Sequence, residues 1–252
     1  MSPPRVQRRG ADHFELESLA GLVPVVRESV HFSIIERAVS STAPIEIVEV
    51  YENPRPRTYD KMRFGFDDMT YLLGHCNRVG PEALISIVTD GLRPGKNGRL
   101  GPGIYLSDDL AKCLEYAFVT PDGLSALVLA QTNLGQSYTP KHDEPRLDSA
   151  AQKMQGRASV FVSSSNTTTE PVEMTWPDGS RALVALGPFA YDLRGWSASF
   201  RHNEYVAWDS IQCFVRFVVV FRSTPASLAP ARSVPSAAAS FFSVAAAMAK
   251  PR

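Results

Sequence analysis

The sequence contains few cysteines, no long apolar run and no excess of either charge. Cys76, Cys113 and Cys213 are its three cysteines, an odd number with no Cys-x-x-Cys pair among them. This usage predicts reduced thiols in an intracellular protein, nuclear or cytoplasmic, with no disulfide framework and no metal site. No stretch reaches the roughly 18 apolar residues of a membrane span, and the first ten residues lack the apolar core of a secretory signal. We therefore expect no association with a membrane.

The charges balance, with 26 basic and 26 acidic side chains. A neutral chain argues against a broadly basic surface for nucleic acid, although a local basic patch is compatible with it. With 252 residues, the chain has enough material for one large core. We predict a flexible leader over residues 1–22, a folded domain over 23–223, and a disordered tail rich in Ala, Ser and Pro over 224–252.

One stretch, residues 101–117, organises the middle of the chain. It predicts a sharp glycine–proline turn, a short strand through Tyr105, and a helix that is capped by Ser107 or Asp108 and extends past Tyr116. The two tyrosines could lie on two sides of one cleft and form a slot for a flat, polar ring. They could equally be two core side chains, and the spacing alone does not separate these readings.

The rest of the chain predicts a mixture of helices and strands. A helix is expected from Pro24 to about Ser41, with Val26, Val30, Ile34 and Ala38 on its buried side, and another from Pro81 to a C-cap at Gly91. A weaker pattern suggests a helix over Thr58–Phe64. Strands are predicted over residues 45–51, 69–75, 125–132, 158–162 and 181–186, with a last pair over 203–209 and 211–221 whose second member is central. This order favours the α+β class.

Three separated motifs resemble those of one family. They are a histidine motif at Leu72-Leu73-Gly74-His75, a tyrosine motif at Gly103–Asp108 continued by Lys112, Cys113 and Tyr116, and a glutamate motif at Asn203–Asp209. In this order they resemble the catalytic domain of the poly(ADP-ribose) polymerases, the diphtheria-toxin-like ADP-ribosyltransferases with a His-Tyr-Glu triad. The resemblance covers roughly residues 25–222. It implies an α+β fold of split antiparallel sheets with flanking helices around an NAD cleft.

The resemblance also implies a role for each matched side chain. The NAD-binding set would be His75, Cys76, Arg93, Tyr105, Cys113 and Tyr116. His75 would bind a ribose hydroxyl, Tyr105 and Tyr116 would stack on the nicotinamide, and Arg93 would approach the adenosine. Glu204 would complete the catalytic set with His75 and Tyr105 by stabilising the positive charge that develops as nicotinamide leaves.

The implied activity is that of an NAD-dependent ADP-ribosyltransferase, which performs a pentosyl transfer. ADP-ribose would pass from NAD, a substrate, to protein acceptors including the chain itself, as single units or chains, and nicotinamide would be released without a metal. Two alternatives stay open. One is a catalytically weak module that binds NAD or ADP-ribose, and the other is a transferase acting on nucleic-acid ends, which the neutral composition does not favour.

The departures from the family pattern bear on the first alternative. Cys76 stands where the family usually has glycine, and Cys113 stands where a serine normally binds the carboxamide. A thiol is a weaker hydrogen-bond donor than a hydroxyl. The donor loop between Arg93 and Gly103 is also shorter than usual. The two cysteines predict a looser grip on nicotinamide. The sequence shows no sign of the family's autoinhibitory helical subdomain, so we also predict an NAD site that is open without an activator.

Overall fold

Two β-sheets that meet at one edge form the frame of the molecule. The computed structural model describes residues 21–42, 45–54, 70–140, 142–162, 172–176, 179, 181–184 and 202–223. The predicted helix at Thr58–Phe64, the tail at 224–252 and all but two residues of the predicted leader lie outside these ranges. The α+β class is confirmed.

The larger sheet has seven strands, and the chain's most apolar segment lies inside it. Its spatial order is Val23–Pro24 (β1), Ile45–Glu52 (β2), Cys213–Ser223 (β11), Leu124–Thr132 (β5), Thr70–His75 (β3), Arg181–Val184 (β9) and Val172–Thr175 (β8). Neighbours are antiparallel except β3 and β9. Nearly every side chain of β5 and β11 is buried, because helices or loops cover both faces of the sheet at these strands.

The smaller sheet has four strands and carries the glutamate motif. Its order is Ile104–Leu106 (β4), Glu204–Ala207 (β10), Ser159–Val162 (β7) and Ser137–Tyr138 (β6), with only the β6–β7 pair parallel. Among the described residues, one isolated bridge joins the two sheets: the backbone N–H of Gly74 donates to the carbonyl of Ser107 at 2.7 Å, and the reverse bond is 3.1 Å. The histidine motif therefore lies directly beside the tyrosine motif.

The expectation that residues 203–209 and 211–221 pair as strands is wrong. β10 pairs with β4 and β7, whereas β11 belongs to the other sheet. The 3-10 turn Ser210–Gln212 separates them, and Asp209 and Gln212 cap each other's backbone N–H groups there. This capping box turns the chain from one sheet into the other instead of into a hairpin.

The first helix starts later than predicted and presents a different face. Val23–Pro24 pairs with β2, and the helix Val30–Thr42 (α1) begins six residues further on. Val26 and Val30, predicted to be inward, are 65% and 71% exposed, while the most buried side chains are Phe32, Ile35, Ala38 and Val39. Two sets of apolar residues share helical spacing here, and the set containing the phenylalanine buries more area.

The second helix agrees with its prediction, but the third is shorter. Pro81–Asp90 (α2) buries Leu84 and Val88 and ends at Gly91, whose φ of 89° only glycine adopts readily. The third helix, Leu110–Leu114 (α3), ends before Tyr116. Its N-cap is Asp109 and neither of the two predicted residues, because the side chains of Ser107 and Asp108 form hydrogen bonds with Asn203 of the glutamate motif instead.

Helix Ser149–Met154 (α4) and the short strands β6 and β8 were not among the elements predicted from the sequence. They are short and only partly buried, so their sequences carry little periodicity. No helix within the described ranges is long and apolar enough to cross a membrane.

Candidate functional site

A cleft of about 370 Å³ opens where the two sheets meet. Its walls come from the end of β3, the loop at residues 97–99, β4, α3 and the start of β10. It brings together six of the seven side chains singled out from the sequence: His75, Cys76, Tyr105, Cys113, Tyr116 and Glu204. The seventh, Arg93, does not line the cleft. Its side chain is 74% exposed and pairs with Asp90 at 3.1 Å.

His75 ends β3 with its imidazole fixed by one backbone bond. Its Nδ1 lies 2.9 Å from the carbonyl oxygen of Tyr105. Because a carbonyl can only accept, Nδ1 carries the proton and Nε2 keeps a lone pair. Burial lowers the pKa of His75, and the bond to Tyr105 offsets this only in part. The ring is therefore neutral near pH 7 and presents Nε2 as a hydrogen-bond acceptor.

Tyr105 is a rigid wall of the cleft. Its hydroxyl accepts from the backbone N–H of Leu100 and donates to the carbonyl of Gly101, both at 2.8 Å. Burial, the largest effect, raises the pKa of Tyr105 to about 12, so the hydroxyl keeps its proton. Glycine is required at position 98, because a Cβ there would lie 2.0 Å from this hydroxyl.

Tyr116 is the looser of the two tyrosines. It follows the end of α3 and is 43% exposed. The guanidinium of Arg78 lies 4.6 Å from its ring centroid and the ammonium of Lys112 lies 5.2 Å away, both at cation–π distance. Both tyrosines line the cleft. Tyr105 also packs against the small core cluster that contains Leu100 and Val206, so the core reading is wrong for Tyr116 and holds in part for Tyr105.

The two cleft cysteines are buried thiols. Cys76 donates weakly to the carbonyl of Ala126 at 3.5 Å, and Cys113 packs near Gly74, where a Cβ would come within 2.8 Å of its sulfur. Burial raises the pKa of both thiols. They therefore remain protonated and are poor nucleophiles. All three cysteines of the chain are free, and the described residues contain no cluster of three or more His, Cys, Asp or Glu that could hold a metal.

Glu204 is the carboxylate of the cleft, and only 8% of the residue is exposed. Burial, the largest effect, raises the pKa of Glu204, while the charges of Lys112, Arg99 and His202 oppose that rise. The nearest cation is Lys112, whose Nζ lies 3.9 Å from Oε1. Burial lowers the pKa of Lys112, but its bond to Glu115 at 2.9 Å and the charge of Glu204 reverse the effect, and the net change is upward.

A buried polar network holds Glu204 in register with Tyr105. The carboxylate of Asp108 accepts from the amide of Asn203 at 2.9 Å and from the hydroxyl of Tyr205 at 2.8 Å. Ser107 donates to the carbonyl of Asn203 at 2.6 Å. These bonds connect the residues after β4 to both neighbours of Glu204, so the tyrosine and glutamate motifs form one rigid unit.

The other side of the cleft consists of loops joined by an ion pair. Arg99 forms a two-pronged pair with Asp143, with Nε–Oδ2 at 3.0 Å and Nη2–Oδ1 at 2.9 Å. The backbone N–H of Glu144 donates to the carbonyl of Arg99 at 2.8 Å, and the side chain of Glu144 accepts from Tyr138 at 2.9 Å. The donor loop is thereby connected to the segment that follows β6.

Arg99 and Lys112 are site residues that reasoning from the sequence did not single out for a role. Lys112 was named only as part of the tyrosine motif. The sequence of the basic, glycine-rich loop at residues 93–100 gives no reason to prefer Arg99 over its neighbours. The partner of Arg99 lies 44 residues away in the sequence, a distance that no local pattern spans.

Comparison with known proteins agrees with the family resemblance seen in the sequence motifs. The family model described as "Poly(ADP-ribose) polymerase catalytic domain" matches residues 31–223. The chain is 31% identical over 167 residues to protein mono-ADP-ribosyltransferase PARP3 of Gallus gallus, a match that covers 64% of this chain and 30% of that protein. The protein of the same name from Mus musculus is 30% identical over 156 residues, covering 59% and 28%. The match thus spans under a third of the length of these relatives.

Proposed function

This chain belongs to the poly(ADP-ribose) polymerase catalytic-domain family, and we propose that it is an NAD-dependent transferase that moves ADP-ribose to protein acceptors and releases nicotinamide. One observation carries the proposal. Three segments far apart in the sequence bring a neutral imidazole, two aromatic rings and a nearly buried carboxylate to one cleft. A site for metal-dependent hydrolysis, or a loop that binds phosphate, would be built from side chains different from these.

The cleft suits the nicotinamide riboside half of NAD. Its volume of about 370 Å³ is at the small end for ligand pockets, which leaves the adenosine half outside. Tyr105 and Tyr116 would stack on the nicotinamide, and each aromatic face would contribute about 1–3 kcal/mol. His75 would accept a hydrogen bond from a ribose hydroxyl through Nε2, since Nδ1 is already used.

Glu204 would then act at the bond that breaks. As the nicotinamide nitrogen leaves with the electron pair of the glycosidic bond, positive charge develops on the ribose. A carboxylate in a site of low water content stabilises that charge far more than it would in solution. Lys112 at 3.9 Å helps to keep Glu204 ionised against the effect of burial. Cys76 and Cys113 would form the floor of the nicotinamide pocket, and the exposed Arg93 would have to exchange its pairing with Asp90 for contact with the adenosine.

We further propose that transfer stops after single units. The relatives described above are named mono-ADP-ribosyltransferases. In this chain Arg99 lines the cleft and its ion pair with Asp143 joins two loops on that side, where we expect the pair to hinder a growing chain. An intracellular location, nuclear or cytoplasmic, stays a prediction from the sequence.

The test uses NAD that carries one isotope in the nicotinamide and another in the adenosine. Purified chain is assayed for free nicotinamide and for label on protein, alongside Glu204→Gln and the matched control Glu82→Gln, which alters an exposed carboxylate on α2. We expect both signals to fall at least about 100-fold in Glu204→Gln and to be unchanged in the control. A single sharp labelled band would support single transfers, and a ladder would contradict them.

The same assay decides between an enzyme and a binding module. If the wild-type chain binds a non-hydrolysable NAD analogue but releases no nicotinamide, the transferase proposal fails and the binding module stands. If Glu204→Gln retains full activity, Glu204 has no part in the chemistry, even if the chain is a transferase.

A further inference from the structure

A histidine–aspartate pair lies beside the carboxylate of the cleft. Nδ1 of His202 contacts Oδ2 of Asp109 in a short hydrogen bond. Asp109 is the N-cap of α3, and Lys112 lies three residues further on the same helix. On the segment that faces this helix, His202 lies two residues before Glu204, the first residue of β10. Two contacts therefore connect α3 to this strand: His202 with Asp109, and Glu204 with Lys112 at 3.9 Å.

The pair has a fixed orientation. The other oxygen of Asp109 accepts from the backbone N–H of Ala111 at 3.1 Å, so the carboxylate cannot rotate freely. A carboxylate accepts the proton of Nδ1, which leaves the lone pair of the imidazole on Nε2. Within the described ranges no hydrogen bond to Nε2 occurs, and 23% of the side chain is exposed. Solvent and a small nucleophile can thus reach the ring.

The position next to Glu204 is where an acceptor has to arrive. Nicotinamide would occupy the part of the cleft between the tyrosines, and His202 is not among the residues that line it. His202 lies two residues before Glu204 and is close enough that a positive charge on its ring would lower the pKa of Glu204. An imidazolium formed at His202 would be stabilised by Asp109 and by the negative Glu204.

We propose that His202, oriented by Asp109, is the general base that removes the proton from a hydroxyl acceptor in the transfer proposed above, on which this inference rests. In the step, the bond between the ribose carbon and the nicotinamide nitrogen breaks, and its electron pair leaves with nicotinamide. A lone pair of the acceptor oxygen forms the new bond to that carbon. The hydroxyl proton passes to Nε2 of His202, and no other reactant is needed.

The proposal specifies the class of acceptor. A serine-type hydroxyl is a weak nucleophile that needs a base, whereas an aspartate or glutamate carboxylate is already ionised and needs none. Glu204 is poorly placed to take the proton, because its charge is needed by the ribose and is already shared with Lys112. A fixed histidine–aspartate pair is thus useful for a hydroxyl and superfluous for a carboxylate.

The experiment measures release and transfer separately with doubly labelled NAD, using the chain itself and a serine-containing peptide without Asp or Glu as acceptors. The variants are His202→Gln and Asp109→Asn, and the control is His142→Gln, an exposed histidine. We expect His202→Gln to lower label transfer about 100-fold or more. Affinity for a non-hydrolysable NAD analogue and the unfolding midpoint should stay near wild type, because His202 does not line the cleft.

Asp109→Asn keeps an N-cap residue on α3 but supplies the wrong hydrogen-bonding group to His202. We expect it to lower kcat for transfer about tenfold or more without changing KM for NAD, which a merely structural role would not do. The protein-bound label of the wild type should resist hydroxylamine, since that reagent cleaves ester links to carboxylates and spares O-glycosidic links to hydroxyls.

Several results would overturn the inference while leaving the transferase intact. The first is wild-type label that hydroxylamine removes, and the second is transfer at the wild-type rate in His202→Gln. The third is release of nicotinamide by the wild type with no label on the peptide. The fourth is an equal fall of release, analogue affinity and transfer in His202→Gln. If the wild-type chain releases no nicotinamide at all, the proposed function fails, and this inference fails with it.

Discussion

The two sides of the cleft are built by different kinds of interaction. The strand side holds Tyr105 and Glu204 on paired strands, with buried hydrogen bonds that Asp108 accepts and Ser107 donates, and with tight packing at the glycines. The loop side depends on the exposed Arg99–Asp143 pair, whose side chains are 45% and 46% exposed. Buried networks fix geometry, whereas exposed ion pairs contribute little to stability and open readily. We infer that the strand side performs the chemistry and the loop side controls entry.

The largest effect that this comparison predicts is at a glycine of the strand side. A Cβ at Gly103 would lie 2.3 Å from Cγ1 of Val206 and 2.9 Å from the carbonyl oxygen of Ala207. Gly103→Ala should therefore lower the free energy of unfolding by about 3 kcal/mol or more, because β4 has to move away from β10. Urea denaturation measures the change.

The matched control is Gly156→Ala after α4, where φ is 77° and a Cβ would meet nothing within 4 Å. It should cost only about 1 kcal/mol, the backbone penalty alone. Equal losses for the two variants would show that the strand side is no more tightly packed than a surface loop.

The two tyrosines should also differ. Tyr105→Phe removes the acceptor of the Leu100 N–H and the donor to Gly101. We expect a loss of about 1–3 kcal/mol in unfolding free energy, since a partly buried N–H is left unpaired. Tyr116→Phe should change stability by less than about 0.5 kcal/mol, because no hydrogen bond of its hydroxyl occurs in the described part of the chain. If Tyr116→Phe is the more costly change, the assignment of the rigid wall to Tyr105 is wrong.

The next prediction, of intermediate size, concerns the pH dependence of activity. Burial raises the pKa of Glu204 and Lys112 opposes the rise, so Lys112→Met should raise that pKa further. The proposed chemistry needs the ionised carboxylate, and activity is lost as pH falls through its pKa. The acidic limb of kcat/KM should therefore move to higher pH, by on the order of one unit. Glu115→Gln, which alters the exposed partner of Lys112, is the control. A limb that stays in place or moves to lower pH contradicts the account of Glu204.

The smallest effect is expected on the loop side. Arg99→Gln and Asp143→Asn should each change the unfolding free energy by less than about 1 kcal/mol, as is usual for exposed pairs. The double variant should give nearly the same value as either single variant. A loss above about 2 kcal/mol would mean that the loop side is as structural as the strand side, and the comparison would no longer hold.

The strand side was far easier to predict from the sequence than the loop side. Long apolar strands such as β5 and β11 of the larger sheet show in the sequence because nearly every described side chain is buried. The His75, Tyr105 and Glu204 motifs are short and local, so each could be recognised where it stands. The partners of Arg99 and His202, by contrast, lie 44 and 93 residues away. Only the folded chain brings them together.

The two predictions that were wrong, the pairing of the last two strands and the buried face of the first helix, failed for a related reason. The 3-10 turn at Ser210–Gln212 is short enough to suggest a hairpin, and only the pairing of β10 with β4 and β7 shows that the chain changes sheets. In α1, two apolar sets fit the helical period, and the choice between them depends on tertiary packing around Trp176 and Phe217, which no local pattern contains.

The most direct test of the central claim is a crystal structure of the chain with a non-hydrolysable NAD analogue. The account predicts the nicotinamide ring between Tyr105 and Tyr116, a ribose hydroxyl on Nε2 of His75, and the other ribose hydroxyl on Glu204. The strand side should be unchanged, and any movement should be confined to the loops that carry Arg99 and Asp143. An analogue bound elsewhere, or with its nicotinamide outside the two tyrosines, would contradict the account.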